Sequence, residues 1–323
     1  MCTAVSVTAK DHYFGRNLDY EHTFGEKITI TPRNYEFHFT NGQTINKHYA
    51  MIGMALPQQG YPLYFDGVNE EGLAMAGLNF PEYACYEKQK DGKENIASFE
   101  LLPWVLCSCK TTDEAKELLS NVNITDTAFN DRTPPSPLHW MIADKEKSIV
   151  VEQTKDGFFL YKNPVGVLTN SPTFDIQLFN LRNFLSVTPK EPVNTFSDQI
   201  ELKAYSRGMG GLGLPGDMSS MSRFVRGCFT KLNSIYGETE EEKVHQFFHI
   251  LYSVYQQKGC VEAGDGFEMT NYSSCCTTDK GIYYYTTYYN STICAVDMHR
   301  EDLENREIIC YDLKPNPGFI MQN

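Results

Sequence analysis

The chain reads as an α+β protein with antiparallel sheets, and three observations carry that expectation. Strand-like and helix-like stretches are segregated into a β block, two helices, a second β block, three helices and a closing β segment. Consecutive strands are joined by short turn signals, as at Asn41-Gly42, Asn69 to Gly72, Asp144–Lys147 and Asp156-Gly157, rather than by crossover helices. No composition shift or low-complexity linker divides the 323 residues, so one domain over 1–323 is expected. The pattern excludes a regular parallel βαβ repeat and places the helices on the outer faces of the sheets.

The opening residues MCTAVSVTA alternate with the period of a half-buried strand, Thr3, Val5 and Val7 on one side and Cys2, Ala4, Ser6 and Thr8 on the other. HYFGRNLDYEHTFGEKITITP reads as a second strand, a loop and a third strand closed by Pro32. Tyr35 to Leu56 continues as strand, and PLYFDGVNEEGLAMAGLNFP forms a longer β pair stopped by Pro81. Two helices follow. Phe99, Leu102, Val105 and Leu106 make the stripe of the first; Thr111 with Glu114 is a capping box for the second, whose face is Ala115, Leu118, Leu119 and Val122.

His139 opens the second β block, two hairpins within HWMIADKEKSIVVEQTKDGFFLYKN, and VGVLTNSP is a short strand running into a loop at Asn170. Residues 174–186 are helical by the spacing of Phe174, Leu178, Leu181, Phe184 and Leu185. GMGGLGLPGDMSS lacks the Gly-Lys-Ser/Thr ending of a phosphate loop, and reads as a close backbone approach or a positive-φ turn. The next helix carries Phe224, Val225, Cys228, Phe229, Leu232 and Ile235 and stops at Gly237. Thr239 with Glu242 caps the last, which carries Val244, Phe247, Phe248, Leu251 and Val254. Tyr272 to Leu313 returns to strand, turning at Asp279-Lys280-Gly281.

A net charge of −13 argues against nucleic acid or an anionic membrane as partner, while a few local arginines could still hold a small anion. Hydrophobic residues at 41% and charged residues at 21% are ordinary for a soluble globule, and twenty Tyr with twenty Phe suggest broad apolar packing or an aromatic-walled pocket. No basic segment followed by an apolar run marks a signal peptide, and no run reaches the ~20 apolar residues of a membrane span. A cytoplasmic protein with free thiols is therefore expected from the ten cysteines. Cys107, Cys109 and the pair Cys275–Cys276 lack zinc-site spacing and read as buried thiols, so no metal is expected. The sequons at Asn123, Asn271 and Asn290 read as chance matches.

Cys2 is the first candidate for chemistry. If Met1 is removed, thiol and free α-amine share one carbon, and an amine titrating near ~7.7–8.0 is a usable base at neutral pH. The ordinary reading is a frayed terminus, but the strand beginning at that residue would hold it rigid. Arg16 and Asp19, in GRNLDYE, would lie alongside it through the first hairpin, Arg16 lowering the thiol pKa and Asp19 holding the amine; the ordinary reading is a surface ion pair. Arg223 sits near a helix start, where a cation opposes the dipole. Asn79 and Asn170 lie at strand ends, as turn residues or as amide N–H donors to an oxyanion. His245 and His249 are four apart but lack a metallopeptidase glutamate, and His139 is the one strand histidine that could partner a thiol. A papain-like enzyme would instead carry its cysteine on a helix.

MCTAVS, YFGRNLDYE, YPLYFDGVNEEGLAMAGLNFP, LHWMIADKEKSIVVE, VLTNSP, GLPGDMSSMSRFVR, NTFSD and YYYTTYYN together resemble the choloylglycine hydrolase family of bile salt hydrolases and penicillin V acylases. The resemblance runs from end to end. It implies a four-layer αββα sandwich of the N-terminal-nucleophile hydrolases, no cofactor, and a homotetramer. It implies Cys2 as nucleophile, supported by Arg16, Asp19, Asn170 and Arg223, the last chosen over Arg226 for its Ser-Arg-Phe context. Asn79 stands where bile salt hydrolases resemble this chain and penicillin V acylases tend to carry Tyr, which favours conjugated bile salts over penicillin V. Tyr20, Phe24, Phe65 and Gln257 would line the steroid pocket. The alternatives are penicillin V, an acyl-homoserine lactone or another N-acyl amide, and, from another class, a bile-acid-binding module without catalysis.

Overall fold

The computed structural model describes residues 1–264 and 266–323. Two antiparallel sheets form its centre. The six-stranded sheet runs Val167–Leu168, β1 (Cys2–Ala9), β2 (Asp11–Tyr20), Met269–Thr277, Ile282–Thr287 and Asn290–Asp297. The eight-stranded sheet runs Gly157–Lys162, Ser148–Thr154, Leu138–Ala143, Ala74–Asn79, Tyr61–Asn69, Met51–Gln58, β3 (Lys27–Thr31) and Ile309–Tyr311. Their inner faces pack together through Ala4, Phe14 and Leu18 on one side and Ile28, Met54, Val68, Ala76 and Leu78 on the other.

Helices cover both outer faces. α1 (Leu101–Ser108) and α2 (Thr112–Leu119) bury Leu101, Trp104, Val105, Ala115 and Leu119 against Met51, Met75, Trp140 and Val151. α5 (Glu240–Tyr252) lays Val244, Phe247, Phe248 and Leu251 on Val5, Val7 and Tyr13. α3 (Phe174–Asn180) and α4 (Ser220–Asn233) contribute Phe174, Phe224 and Cys228 to the central core. This is the αββα sandwich.

Several local expectations change. β1 is buried on both faces from Cys2 to Val7, because α5 covers the side away from the second sheet, so it is not half-buried. α2 ends at Leu119; Val122 instead begins the strand Val122–Thr125, which pairs in parallel with Glu94–Ala97. The capping box there is half formed: Thr111 accepts from the Glu114 N–H, but the Glu114 carboxylate accepts from the Lys110 N–H. The helix from Phe174 stops at Asn180 and tightens into a 3₁₀ turn, Leu181–Phe184. Leu232 on α4 and Ile235 beyond it are exposed, so the buried face of that helix is shorter than its apolar spacing suggests. The Thr239–Glu242 capping box of α5 forms in full.

The glycine-rich stretch combines a left-handed Gly208 (φ +84°) with a Gly210 whose α-carbon lies against the carbonyls of Thr188 and Lys190, leaving no room for a Cβ. All ten cysteines are unpaired; Cys107, Cys109, Cys275 and Cys276 are buried. Among the described residues no helix is long and apolar enough to cross a membrane, and no three His, Cys, Asp or Glu side chains converge as a metal site.

Candidate active site

β1 starts at Cys2, whose Cα faces Leu18 of β2, and two residues on Ala4 faces Arg16. That register sends Cys2, Leu18 and Arg16 to the inner side of the sheet. Two β-bulges flank the spot. Between Met51–Gln58 and Tyr61–Asn69 the register skips Phe65, and between β2 and Met269–Thr277 it skips Asn271. The first bulge frees the Phe65 carbonyl, which accepts from Arg16 Nη1 at 3.0 Å, while its ring lines a cavity. The second lies beside the Thr270–Asp19 pair.

Arg16 crosses from one sheet to the other, and the Gly77 carbonyl takes a second hydrogen bond from Nη1 at 2.5 Å. Asp66 reaches back the other way, accepting from Tyr272 Oη at 2.7 Å and Tyr283 Oη at 2.6 Å. Burial alone would favour a neutral Arg16, but the Cys2 thiol, Tyr272, Asp66 and Asp19 around it outweigh burial and hold the guanidinium charged. Burial pushes the Asp66 carboxyl up, opposed by Arg16 and the two tyrosine hydroxyls.

Cys2 is held by its backbone. Its N–H donates to Asn170 Oδ1 at 2.8 Å, and its carbonyl accepts from Arg223 Nη1 at 2.5 Å. Arg223 also donates to Thr3 Oγ1 at 2.8 Å and to Asn170 Oδ1 at 2.7 Å, so one amide oxygen ties the guanidinium to the Cys2 nitrogen. Asn170 Nδ2 donates to the Asn79 carbonyl at 2.6 Å. The Asn170 amide is therefore committed to its neighbours rather than aimed at an oxyanion. Asn79 itself lines the cavity, and its side-chain amide has no hydrogen-bond partner among the described residues.

Asp19 is buried, with Oδ1 accepting from Thr270 Oγ1 at 2.6 Å and Oδ2 from Gln256 Nε2 at 3.4 Å. Burial raises its pKa, and Arg223, the α-ammonium, Thr270 and Arg16 oppose the rise. Burial lowers the Arg223 pKa, opposed by Asp19, Cys2 and Glu268. The Met1 ammonium donates to the Asp19 backbone carbonyl at 2.6 Å and to Glu268 Oε1 at 2.9 Å.

Cys2, Arg16, Asp19 and Asn79 line one end of a cavity of about 310 Å³. Its mouth carries Tyr20, Phe24 and Phe65, with ring centroids 4.8 Å apart for Tyr20–Phe24 and 5.5 Å for Phe24–Phe65. Leu56, Leu63, Phe99, Leu102, Phe129 and Leu138 complete its apolar walls. Asn170 and Arg223 lie behind the nucleophile rather than on this wall. Gln257 does not line it; the chain turns so that Gln257 is exposed and its neighbour Gln256 is the buried partner of Asp19.

His139 makes no hydrogen bond to Cys2 among the described residues; its ring is bound to Glu152 Oε1 at 3.0 Å and the Thr169 carbonyl at 2.9 Å and stacked on Phe80. His245 and His249 are exposed on α5. Sequence reasoning missed Asp66, Gln256, Glu268, Thr270, Tyr272 and Tyr283. Thr270 and Tyr272 come in because their strand pairs with β2, Tyr283 from the next strand of that sheet, Asp66 from the facing sheet and Gln256 and Glu268 from the segments between elements, and no spacing in the sequence signals that convergence.

A thiol beside a buried guanidinium, at the head of a strand and the end of an apolar cavity, is suited to nucleophilic attack on a bulky acyl group. Two face-to-face antiparallel sheets between helix layers, with that cysteine leading a central strand, define an N-terminal-nucleophile hydrolase fold. The profile of the linear amide C–N hydrolases, choloylglycine hydrolase family, matches residues 2–311, and the chain belongs to that family. It is a hydrolase of linear amides.

The chain is 51% identical to a bile salt hydrolase/transferase of Lactiplantibacillus plantarum, over 100% of both sequences. The crystal structure of the C2A conjugated bile acid hydrolase of Clostridium perfringens superposes with a TM-score of 0.92 at 38% identity, covering 100% of each chain. A penicillin V acylase from Agrobacterium tumefaciens shares the fold, with a TM-score of 0.77 at 21% identity over 98% of this chain and 92% of its own.

Proposed function

We propose that this enzyme hydrolyses the amide joining a bile acid to glycine or taurine, through a thioester on Cys2 after loss of Met1. The observation that carries the reading is the Cys2 thiol at the end of an apolar, aromatic-mouthed cavity with its backbone nitrogen pinned by Asn170. An apolar body fits such walls, and the cleaved amide is then presented to the thiol. The similarity to bile salt hydrolases over the full length supports the same substrate class.

The freed α-amine takes the thiol proton, and the thiolate forms an S–C bond to the amide carbonyl. The unpartnered amide of Asn79 stabilises the oxyanion, a donor of this kind being worth roughly 3–4 kcal/mol of barrier. The amine returns the proton to the leaving nitrogen as the C–N bond breaks, and then activates water against the thioester. Arg16 places a buried positive charge beside the nucleophile, and Arg223 with Asn170 fixes the nucleophile's backbone. Asp19, charge-balanced against Arg223, completes the frame. Tyr20, Phe24 and Phe65 contact the steroid.

We place the enzyme in the cytoplasm as a homotetramer; exposed Leu185, Val193, Phe196, Tyr205 and Leu212 in one irregular stretch support self-association. Turnover of glycine- and taurine-conjugated cholate beside penicillin V tests the substrate assignment. Cleavage of the bile conjugates, abolished by Cys2→Ser with the fold intact, is expected. Preference for penicillin V, or an active Cys2→Ser, overturns it.

A further inference from the structure

The surroundings of the Met1 ammonium contain an excess of acceptors. Glu268 Oε1 and the Asp19 carbonyl hold the ammonium, while the other carboxylate oxygen, Glu268 Oε2, is buried with no hydrogen-bond donor among the described residues. The Glu268 side chain is only 12% exposed. A carboxylate and a carbonyl converging in this way suit a cationic nitrogen, since buried acceptors without donors cost free energy. In the unprocessed chain the protein's own terminus fills it. Once Met1 has gone, Glu268 keeps none of its hydrogen-bond donors among the described residues.

The position of this site relative to the nucleophile is fixed by covalent geometry. The Met1 and Cys2 nitrogens are three bonds apart, so they lie at most about 3.7 Å from each other. A nitrogen held where the Met1 ammonium now sits is therefore within proton-transfer reach of the freed Cys2 amine. Met1 itself is partly exposed, which opens the site to solvent for a departing group.

We propose that Glu268 and the Asp19 carbonyl form a leaving-amine subsite, which accepts the N–H groups of the scissile nitrogen as it becomes protonated and departs. This rests on the reading of Cys2 as a nucleophile freed by loss of Met1. In the acylation step the S–C bond forms and the Cys2 ammonium transfers its proton to the amide nitrogen. The C–N bond then breaks, its electron pair staying on the amine, and the oxyanion collapses to the thioester. Positive charge exists on the leaving nitrogen only between protonation and bond cleavage, so Glu268 favours that state over the neutral amide. The anionic end of a glycine or taurine points away from Glu268, toward solvent.

The test compares leaving groups on one acyl chain. Glu268→Gln is isosteric and replaces a carboxylate that has lost its partner, and Glu268→Ala serves if the Gln variant does not fold. With glycine-conjugated cholate, kcat is expected to fall by about tenfold or more, the loss of one charge-assisted hydrogen bond in the transition state. With the phenyl ester of cholate, whose leaving group carries no N–H, kcat is expected to stay within about twofold. Inhibition by added glycine is expected to weaken. Equal losses on amide and ester, or an unchanged amide kcat, overturn the proposal. Failure of the underlying reading looks different: acid-quenched wild-type enzyme would then carry no acyl group on Cys2.

Discussion

Asn170→Ala removes the junction on which the nucleophile's position depends. The lost Oδ1 accepts from the Cys2 nitrogen at 2.8 Å and from Arg223 Nη2 at 2.7 Å, and the lost Nδ2 donates to the Asn79 carbonyl at 2.6 Å. Two buried donors and one carbonyl lose their partner, one donor belonging to a fully buried cation. Each such group costs roughly 1–3 kcal/mol, and water entering the vacated space recovers part of it, so a net loss of about 3 kcal/mol is expected. For a chain of this length that corresponds to a fall in Tm of roughly 5 °C. The effect on rate is larger, because a nucleophile displaced by an ångström costs on the order of 100-fold. Scanning calorimetry and kcat on a conjugated bile salt read both. A variant with lowered Tm but kcat within about threefold of wild type would show that Asn170 stabilises the fold without aligning Cys2.

Three further outcomes follow from the structure. His12 is buried between Ser6 Oγ and Thr278 Oγ1, and burial lowers its pKa from 6.5 to about 4 against the opposing pull of Asp279. The unfolded chain then binds a proton that the folded chain refuses, so stability is full above pH 6.5 and about 3 kcal/mol is lost as pH falls toward 4; His12→Gln should flatten that limb in denaturant titrations. Phe65→Ala keeps the carbonyl that holds Arg16 but removes the ring from the cavity mouth, so KM for bile conjugates should rise by roughly tenfold while Gln257→Ala leaves it unchanged. Thr239→Ala breaks the complete capping box of α5 and should cost about 1 kcal/mol in unfolding free energy without altering kcat.

The architecture was largely legible because it rests on local signals. Turns at Asn69–Gly72 and Asp144–Lys147 and the Thr239–Glu242 cap are determined by a few adjacent residues, and they stand where those residues point. Burial was less legible. Ser6 and Thr8 alternate with valines as on a half-buried strand, but the layer of α5 and the second sheet enclose most of β1 on both sides. Val122 and Ile235 continue an apolar spacing beyond the point where their helices end.

The site divides the same way. Cys2, Arg16 and Asp19 share one hairpin, so their proximity could be read from its register. Asn170 and Arg223 reach Cys2 from 168 and 221 residues away; local signals offered them as a strand-end amide and a helix-start cation, and only family resemblance tied them to Cys2. Gln257 missed the site by one position because the chain after α5 buries Gln256 against Asp19 instead. Asp66 sits in a quoted stretch but nothing in it marks the carboxylate, Glu268 lies outside every quoted stretch, and their partners come from other strands or from the terminus.

In the proposed mechanism the catalytic group is the whole N-terminal residue, thiol and amine together, once Met1 has left. Intact mass of active enzyme, before and after acid quench during turnover of a conjugated bile salt, tests it most directly. The expected result is a chain lighter by one methionine that gains one bile-acyl group, lost on Cys2→Ser. Fully active enzyme that retains Met1, or an acyl adduct that persists without the Cys2 thiol, would contradict it.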